Sequence, residues 1–367
     1  MPELTIVVPT VDERANVVPL LEALGAVLHG IDYEVIFVDD DSADGTAAEA
    51  RQAAQRDPRV RVLERIGRRG LSSAVIEGML ASSAPYLAVM DSDLQHDEAI
   101  LPAMLEKLKK EQLDLVIGTR HIEGGSVGDM AQRRVTLSHW GRRLSALVCH
   151  ADLSDPMSGY FVVTREYLDE VARSLSCIGF KVLLDLVVSA RRPVRIGEVP
   201  YQFRQRLHGR SKLDILVSLE YLELLADKLV GDFVPASYVV FGLAGSVGIL
   251  AHLAFVQLLR MRGMALSRAQ LVSSVLVIGI NFVLNNKLTF RRARLSGWNF
   301  AMGLAIFYAA CSVGLYLNLR VLEDLTRHSV SWYVAAAAGL VVGSVWNYWM
   351  SALFVWQVIR RRRNLRN

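Results

Sequence analysis

The sequence predicts a mainly parallel α/β domain followed by an all-α transmembrane domain of four helices. Three observations predict it. Short apolar runs alternate with helical patterns over residues 1–120. Four long uncharged apolar stretches follow residue 235. Charge also divides along the chain: residues 1–232 carry 27 basic against 35 acidic side chains, whereas residues 233–367 carry 14 against 2. An acidic soluble part joined to a basic, acid-poor, apolar part is the signature of a cytosolic domain attached to a membrane domain. The expected boundaries are 1–232 and 233–367.

In the first domain, Leu4–Val8 reads as a buried strand, followed by a helix over Val17–Leu28. Strand-like runs at Tyr33–Val38, Val60–Glu64, Tyr86–Met90 and Leu113–Gly118 alternate with helical patterns at Gly45–Gln55, Leu71–Ala81 and Glu98–Lys109. Such alternation implies a Rossmann-like sheet covered on both faces. Residues 121–232 are mixed: a loop at Gly124-Gly125 leads to a basic helix near Arg133–Arg143. Leu213–Val230 is amphipathic, and either lies on the membrane surface or packs into a core.

The apolar stretches are 236–259, 269–286, 295–319 and 329–359, each about long enough to cross a ~30 Å hydrocarbon core. Their ends repeat: Asn281-Phe282 precedes Phe290 as Asn347-Tyr348 precedes Trp356, 66 residues apart, which suggests two similar hairpins. Arg291, Arg292, Arg294, Arg360 to Arg363 and Arg366 lie on one side of the spans. Arg260, Arg262, Arg268, Arg320 and Arg327 lie on the other. The bias of eight against five favours both termini in the cytoplasm. The N-terminus opens on a strand with no basic stretch and apolar core before it, unlike a secretory signal. Cys149, Cys177 and Cys311 are scattered and odd in number, which fits a reducing compartment.

Acidic groups follow three of the strands, where open α/β sheets bind ligands. Asp91-Ser92-Asp93-Leu94-Gln95 offers two carboxylates and an amide oxygen at alternate positions, able to face one way from extended backbone. These oxygens suit Mg²⁺ or Mn²⁺ bridging two phosphates. Pro9-Thr10-Val11-Asp12-Glu13 ends the first strand, and Val38-Asp39-Asp40-Asp41-Ser42-Ala43-Asp44-Gly45-Thr46 ends the second. A carboxylate there can accept the N–H of a base ring, or simply cap a helix.

These three motifs, in this order, resemble the inverting family 2 glycosyltransferases of GT-A fold. Further motifs narrow the resemblance: Gly118-Thr119-Arg120, Asp155-Pro156-Met157-Ser158-Gly159, Gly179-Phe180-Lys181 and Val199-Pro200, then Arg206 and Gly209-Arg210-Ser211-Lys212-Leu213. Together they are similar to the dolichol-phosphate mannose synthases and their polyprenyl-phosphate relatives over about residues 3–225. Residues 235–360 resemble the GtrA-like membrane family, chiefly through Asn281-Phe282, Asn285 and Thr289-Phe290.

The resemblance implies roles. Asp91, Asp93 and Gln95 would bind the metal. Pro9, Glu13, Asp39, Asp41, Ser92 and Asp93 would line the donor pocket, with Arg206 and Lys212 on its diphosphate. Arg120, Arg134 and Ser138 would receive the acceptor phosphate, with Arg133 as an adjacent candidate. Asp93, Arg120, Arg134 and Ser138 form the expected catalytic set. Read from the residues alone, the arginines are a solvated basic face.

The implied partners are a nucleotide-sugar, with GDP-mannose favoured and UDP-glucose next, a polyprenyl or dolichyl phosphate, and the bilayer. A homo-oligomer is compatible with the sequence; nucleic acid is not among the partners. Two departures touch the donor side. Val11-Asp12 stands where the family has Tyr-Asn, and Arg210 where it has Glu. A processive polysaccharide synthase would carry Gln-x-x-Arg-Trp, and no Arg-Trp pair occurs. A lipid-linked-sugar translocator would need a polar path, yet the four stretches hold no acidic residue and one histidine, His252.

Overall fold

Runs rich in Val, Ile and Leu form strands buried on both faces, and in the computed structural model they assemble a seven-stranded sheet. The structure describes residues 1–122, 153–204 (apart from 157 and 178), 224 and 235–357. The chain divides into two compact units, Met1–Leu229 and Val230–Asn367. In the first unit the elements run β1 (Leu4–Thr10), α1 (Val17–Val27), β2 (Tyr33–Asp39), α2 (Thr46–Arg56), β3 (Val60–Glu64), α3 (Leu71–Leu80), β4 (Tyr86–Val89) and α4 (Leu101–Lys110). They continue as β5 (Leu115–Thr119), β6 (Phe161–Thr164), α5 (Arg165–Val171), α6 (Val182–Val188) and β7 (Ile196–Pro200).

The strand order is β3-β2-β1-β4-β6-β5-β7. Every pairing is parallel except those of β6, which runs antiparallel between β4 and β5. Alternation along the strands feeds two cores. Leu4, Ile6, Val35, Phe37 and Val162 face α1 and α4. Val7, Ile36, Val38, Phe161 and Val163 face α3, α5 and α6. Each large aliphatic side chain so buried contributes about 1.5–3 kcal/mol relative to exposure.

The sequence reading and the structure differ in several places. β5 begins at Leu115 rather than Leu113, because the Asp114 carboxylate turns aside to Arg192 and Arg195. The fourth helix opens as a 3₁₀ turn at Glu98–Ile100, capped by Asp97 accepting the Ala99 N–H. β6 and β7 were not anticipated: β6 is a four-residue run whose pairing is entirely non-local. The amphipathic run at 213–230 lies outside the described residues apart from Leu224.

The second unit contains α7 (Ala236–Met261), α8 (Leu266–Lys287), α9 (Trp298–Arg327) and α10 (Trp332–Met350). α10 continues as a π-helical segment, Ser351–Gln357. All four helices are long and apolar enough to cross a membrane. α9 outlasts the apolar stretch read from sequence and carries Glu323 and Asp324 in its last turns, where Glu323 pairs with Arg327.

The 66-residue repeat extends well beyond the paired aromatics. A Cβ on Gly248 would fall 2.4 Å from Asn281 Oδ1, and one on Gly314 would fall 2.1 Å from Asn347 Oδ1. Both amide oxygens are buried without a hydrogen-bond partner among the described residues. Each instead sits against a glycine backbone, a close helix–helix approach that weak Cα–H···O contacts favour. Ser246 bonds to the Gly242 carbonyl as Ser312 bonds to that of Tyr308. Phe290 stacks on Trp356 at 4.1 Å, and these two rings are themselves equivalent positions. Phe282 stacks on Trp356 as Tyr348 stacks on Phe290. The two hairpins are therefore related by a pseudo-two-fold axis running through the Phe290–Trp356 stack.

Candidate active site

Because β1, β2, β4, β5 and β7 are parallel, their carboxyl ends share one edge of the sheet. Antiparallel β6 begins at that edge, so the Asp155–Gly159 loop arrives beside the ends of β4 and β5. This topology gathers motifs that lie more than 100 residues apart in sequence.

The segment after β4 is a turn rather than the extended backbone expected. Leu94 takes φ +60°, a conformation rare and strained for a branched residue. Its side chain is buried in the core, which holds the turn in place. Asp93 is buried and accepts the Gln95 N–H at 3.1 Å. Asp91 remains half-exposed, and Ser92 is buried. Gln95 donates Nε2 to the Arg204 carbonyl at 3.1 Å, which turns its amide oxygen the other way.

Among the described residues, no three His, Cys, Asp or Glu side chains gather as a metal cluster. Two carboxylates and the Gln95 amide oxygen on one turn are a hard oxygen set of the kind that suits a divalent cation. Gly159 lies beside Asp91, and a Cβ there would come within 3.6 Å of Asp91 Oδ2 and of His96 Cε1.

His96 supports the turn. Its Nδ1 accepts the Asp91 N–H at 3.1 Å, so Nε2 carries the proton; Nε2 lies 3.9 Å from Asp91 Oδ2. Burial first, and Arg120 second, push its pKa down to about 4 against the pull of Asp93 and Asp155. The ring is therefore neutral at pH 7. It stacks on Tyr160 at 5.0 Å and meets Tyr201 and Phe203 edge-on.

The ends of β1 and β2 are laced together. Asp12, at φ +52°, accepts the Ala43 N–H and donates its own N–H to Ser42 Oγ. The Glu13 N–H donates to Thr46 Oγ1, and Glu13 Oε2 accepts from Asn16 Nδ2 at 2.6 Å. Asp39 is buried and accepts both the N–H and the hydroxyl of Ser42. Asp40 forms a buried ion pair with Arg65 at 2.5 Å. Asp44 accepts the N–H and the hydroxyl of Thr46, the first residue of α2. Asp41 is exposed in a left-handed turn, and Pro9 is buried in β1 opposite Val38. Much of the acidic cluster thus holds the loop, while Asp39 and Asp41 stand at the sheet edge.

At the end of β5, Arg120 places Nε and Nη2 on Asp155 Oδ2, both at 2.8 Å. Asp155 is fully buried. Burial would lower the guanidinium pKa, but the Asp155 carboxylate more than offsets this and raises it. The guanidinium lies 5.1 Å from the Phe203 ring centroid. Ser158 Oγ donates to the Gly118 carbonyl and Ser154 pairs with Thr119, fixing the loop on the strand ends. Lys181 opens α6 nearby. Burial and then Arg120 bring its pKa down to about 8, opposed by Asp155 and Asp91.

The structure thus brings Pro9, Glu13, Asp39, Asp41, Asp91, Ser92, Asp93, Gln95 and Arg120 to one edge of the sheet. Arg133, Arg134, Ser138, Arg206 and Lys212 lie outside the described residues. Sequence reasoning missed His96, Asp155, Lys181 and Tyr201. Asp155 and Lys181 belong to motifs that were recognised without a role for either residue. His96 and Tyr201 have no signal beyond their adjacency to Gln95 and Pro200.

Comparison with known proteins agrees with this architecture. The glycosyl transferase family 2 profile matches residues 5–172, and the GtrA/DPMS transmembrane domain profile matches residues 240–356. The dolichol-phosphate mannosyltransferase of Pyrococcus furiosus is 31% identical over 96% of this chain and 99% of its own length. That of Saccharomyces cerevisiae is 35% identical over 65% of this chain and 91% of its own. A solved glucosyl-3-phosphoglycerate synthase of Mycobacterium tuberculosis is 21% identical, with TM-score 0.45, over 62% of this chain and 79% of its own. The chain is a glycosyltransferase and a membrane protein, and it belongs to the dolichol-phosphate mannosyltransferase family, with a family 2 glycosyl transferase domain followed by a GtrA/DPMS transmembrane domain.

Proposed function

We propose that the protein transfers mannose from GDP-mannose to the phosphate of a polyprenyl or dolichyl phosphate, with inversion, at the cytoplasmic face of the membrane. The observation that carries this reading is the likeness to the Pyrococcus mannosyltransferase over almost the whole of both chains. The site supports it: a carboxylate turn suited to a metal–diphosphate stands on the same edge as Arg120, a cation suited to a second phosphate.

Asp91, Asp93 and the Gln95 amide oxygen would hold Mg²⁺ or Mn²⁺. When bound, such an ion neutralises the leaving diphosphate. Asp39, Glu13 and Pro9 would border the nucleotide, with Asp41 at the rim. Arg206 and Lys212 would hold the diphosphate, and Arg133, Arg134 and Ser138 would join Arg120 at the acceptor. A phosphate monoester, with a second pKa of ~6, is already largely ionised at neutral pH. The acceptor oxygen therefore attacks without a general base, and this chain's work is orientation. His96, held neutral, keeps the Asp91–Gln95 turn in place.

Residues 1–232 would perform the chemistry and residues 233–367 would hold it at the bilayer, where both partners' search is confined to two dimensions. Incubating the full chain with Mn²⁺, a polyprenyl phosphate and either labelled GDP-mannose or labelled UDP-glucose tests the donor. Label in the lipid from UDP-glucose alone would refute the mannose assignment. Cysteine labelling of intact cells tests orientation: positions 263 and 329 should react from outside, and position 296 should not.

A further inference from the structure

Two buried oxygens beside Arg120 lack partners. Asp155 Oδ2 receives the guanidinium, but Asp155 Oδ1 has no hydrogen-bond partner among the described residues, and neither has the Tyr201 hydroxyl. Tyr201 is 2% exposed. Unsatisfied buried hydroxyls are few in native folds, and each calls for a reason.

The position of Tyr201 is tightly fixed. It directly follows β7, and its N–H donates to the Thr119 carbonyl at 3.0 Å, which sets it beside Arg120. Its ring packs edge-on against His96 at 5.8 Å and Tyr160 at 5.6 Å, with Phe203 at 6.4 Å. The aromatic packing accounts for the ring and leaves the hydroxyl unexplained. Charges around the hydroxyl come from Arg120 above all, then from Asp155, Asp91 and Asp93. Burial keeps the phenol protonated throughout the physiological range, so it is a fixed O–H donor.

We propose that the Tyr201 hydroxyl donates a hydrogen bond to the acceptor's phosphate, beside Arg120, and orients the oxygen that attacks the sugar. The inference rests on the proposed phosphate acceptor docking at Arg120. A neutral donor suits this task. Another cation would bind the phosphate more tightly in the ground state and blunt its nucleophilicity, whereas a phenol fixes direction with less charge withdrawn. Arg120 commits Nε and Nη2 to Asp155, which limits the donors it can turn to the phosphate, and the Tyr201 hydroxyl would add a neutral, directional donor to the groups proposed at the acceptor. The donor's diphosphate offers the same phosphoryl oxygens, but the Tyr201 N–H on the Thr119 carbonyl seats this residue next to Arg120 at the end of β5.

The test uses the full chain in bilayer nanodiscs and the variant Tyr201→Phe, which keeps the ring packing. Removing a buried hydroxyl that has no partner among the described residues should leave thermal stability unchanged or raised. The KM for farnesyl phosphate should rise by about tenfold or more, the usual effect of losing a hydrogen bond to a charged group, while affinity for Mn²⁺–GDP stays the same. An unchanged KM overturns the proposal. So does a loss confined to Mn²⁺–GDP binding, which would place the hydroxyl on the donor, or a lowered melting temperature with unchanged KM, which would make it a structural group. Thermal stabilisation by farnesyl phosphate is read without turnover and separates the two ideas. A shift in wild type that is diminished in Tyr201→Phe, with no mannose transferred, would sustain the phosphate contact and refute only the donor. No shift in wild type would overturn the contact.

Discussion

Replacing Asp155 with Asn tests whether the buried ion pair is what aims Arg120. Asp155 is fully buried, and the Arg120 side chain is 13% exposed. The substitution keeps shape and one acceptor but removes the charge, leaving a buried guanidinium uncompensated. Deleting one partner of such a pair costs about 3–5 kcal/mol, and the retained amide oxygen reduces this to roughly 2–3. For a unit of 229 residues, each kcal/mol shifts the melting temperature by about 2–4 °C, so a fall of roughly 4–12 °C is expected. The same energy withdrawn from the placement of Arg120 lowers kcat/KM for the acceptor by about 30- to 160-fold. The assay is transfer of label to lipid at varied acceptor, with thermal unfolding of the same preparation. Farnesyl phosphate should restore part of the lost stability, because its anion replaces the missing charge. An Asp155→Asn enzyme with wild-type KM and melting temperature would show that Arg120 is positioned by other contacts.

Three further outcomes are expected. Asp93→Asn should abolish metal-dependent transfer while leaving the fold intact; full activity would refute the metal assignment. Asp114 accepts from Arg192 and Arg195, and although burial opposes it these bonds hold its pKa far below the ordinary carboxylate value. Its stabilising contribution is therefore complete above the ordinary carboxylate range and lost as pH falls through the lowered folded-state pKa, so Asp114→Asn should melt a few degrees below wild type at pH 7, with the gap narrowing steadily as pH falls below about 4, by calorimetry. The loss should be about 1–2 kcal/mol, since both guanidinium groups are more than a third exposed. Gly314→Ala places a methyl group 2.1 Å from Asn347 Oδ1 and should destabilise the second hairpin by about 1–3 kcal/mol. Asn347→Ala in the same chain should relieve most of that loss, and additive effects would argue against the clasp.

How legible the molecule was in its sequence depends on the range of the interactions involved. Strands β1 to β5 and their helices are specified by local runs of apolar residues and by nearby caps, such as Asp97 on the turn that opens α4, and they were placed within a residue or two. β6 was not, because Phe161–Thr164 is too short to carry a period, and its antiparallel place between β4 and β5 is a property of the finished sheet. The acidic motifs were visible as carboxylates at strand ends. What each does locally was less so: Asp39, Asp40 and Asp44 hold Ser42, Arg65 and Thr46, which spacing alone could not distinguish from the exposed Asp41. Extended backbone at Asp91–Gln95 was the wrong expectation, because Leu94 is held in a left-handed turn by its own burial.

Asp155 and Tyr201 explain why the remainder of the site could not be read from spacing. Neither lies near Arg120 in sequence; the inserted antiparallel strand brings Asp155 to the sheet edge, and parallel pairing of β5 with β7 brings Tyr201. The edge that carries the candidate site is therefore a consequence of topology, and its supporting residues become recognisable only once the sheet is closed. The membrane unit presents the opposite case. Its repeat is visible in sequence because the two hairpins use the same glycine, asparagine and aromatic positions, and because one ring from each hairpin meets at the axis. A substitution at Phe290 or Trp356 acts on both hairpins at once, whereas one at Gly248 or Gly314 acts on a single hairpin. The symmetric core, rather than either helix pair, is thus the element that makes the four spans one domain.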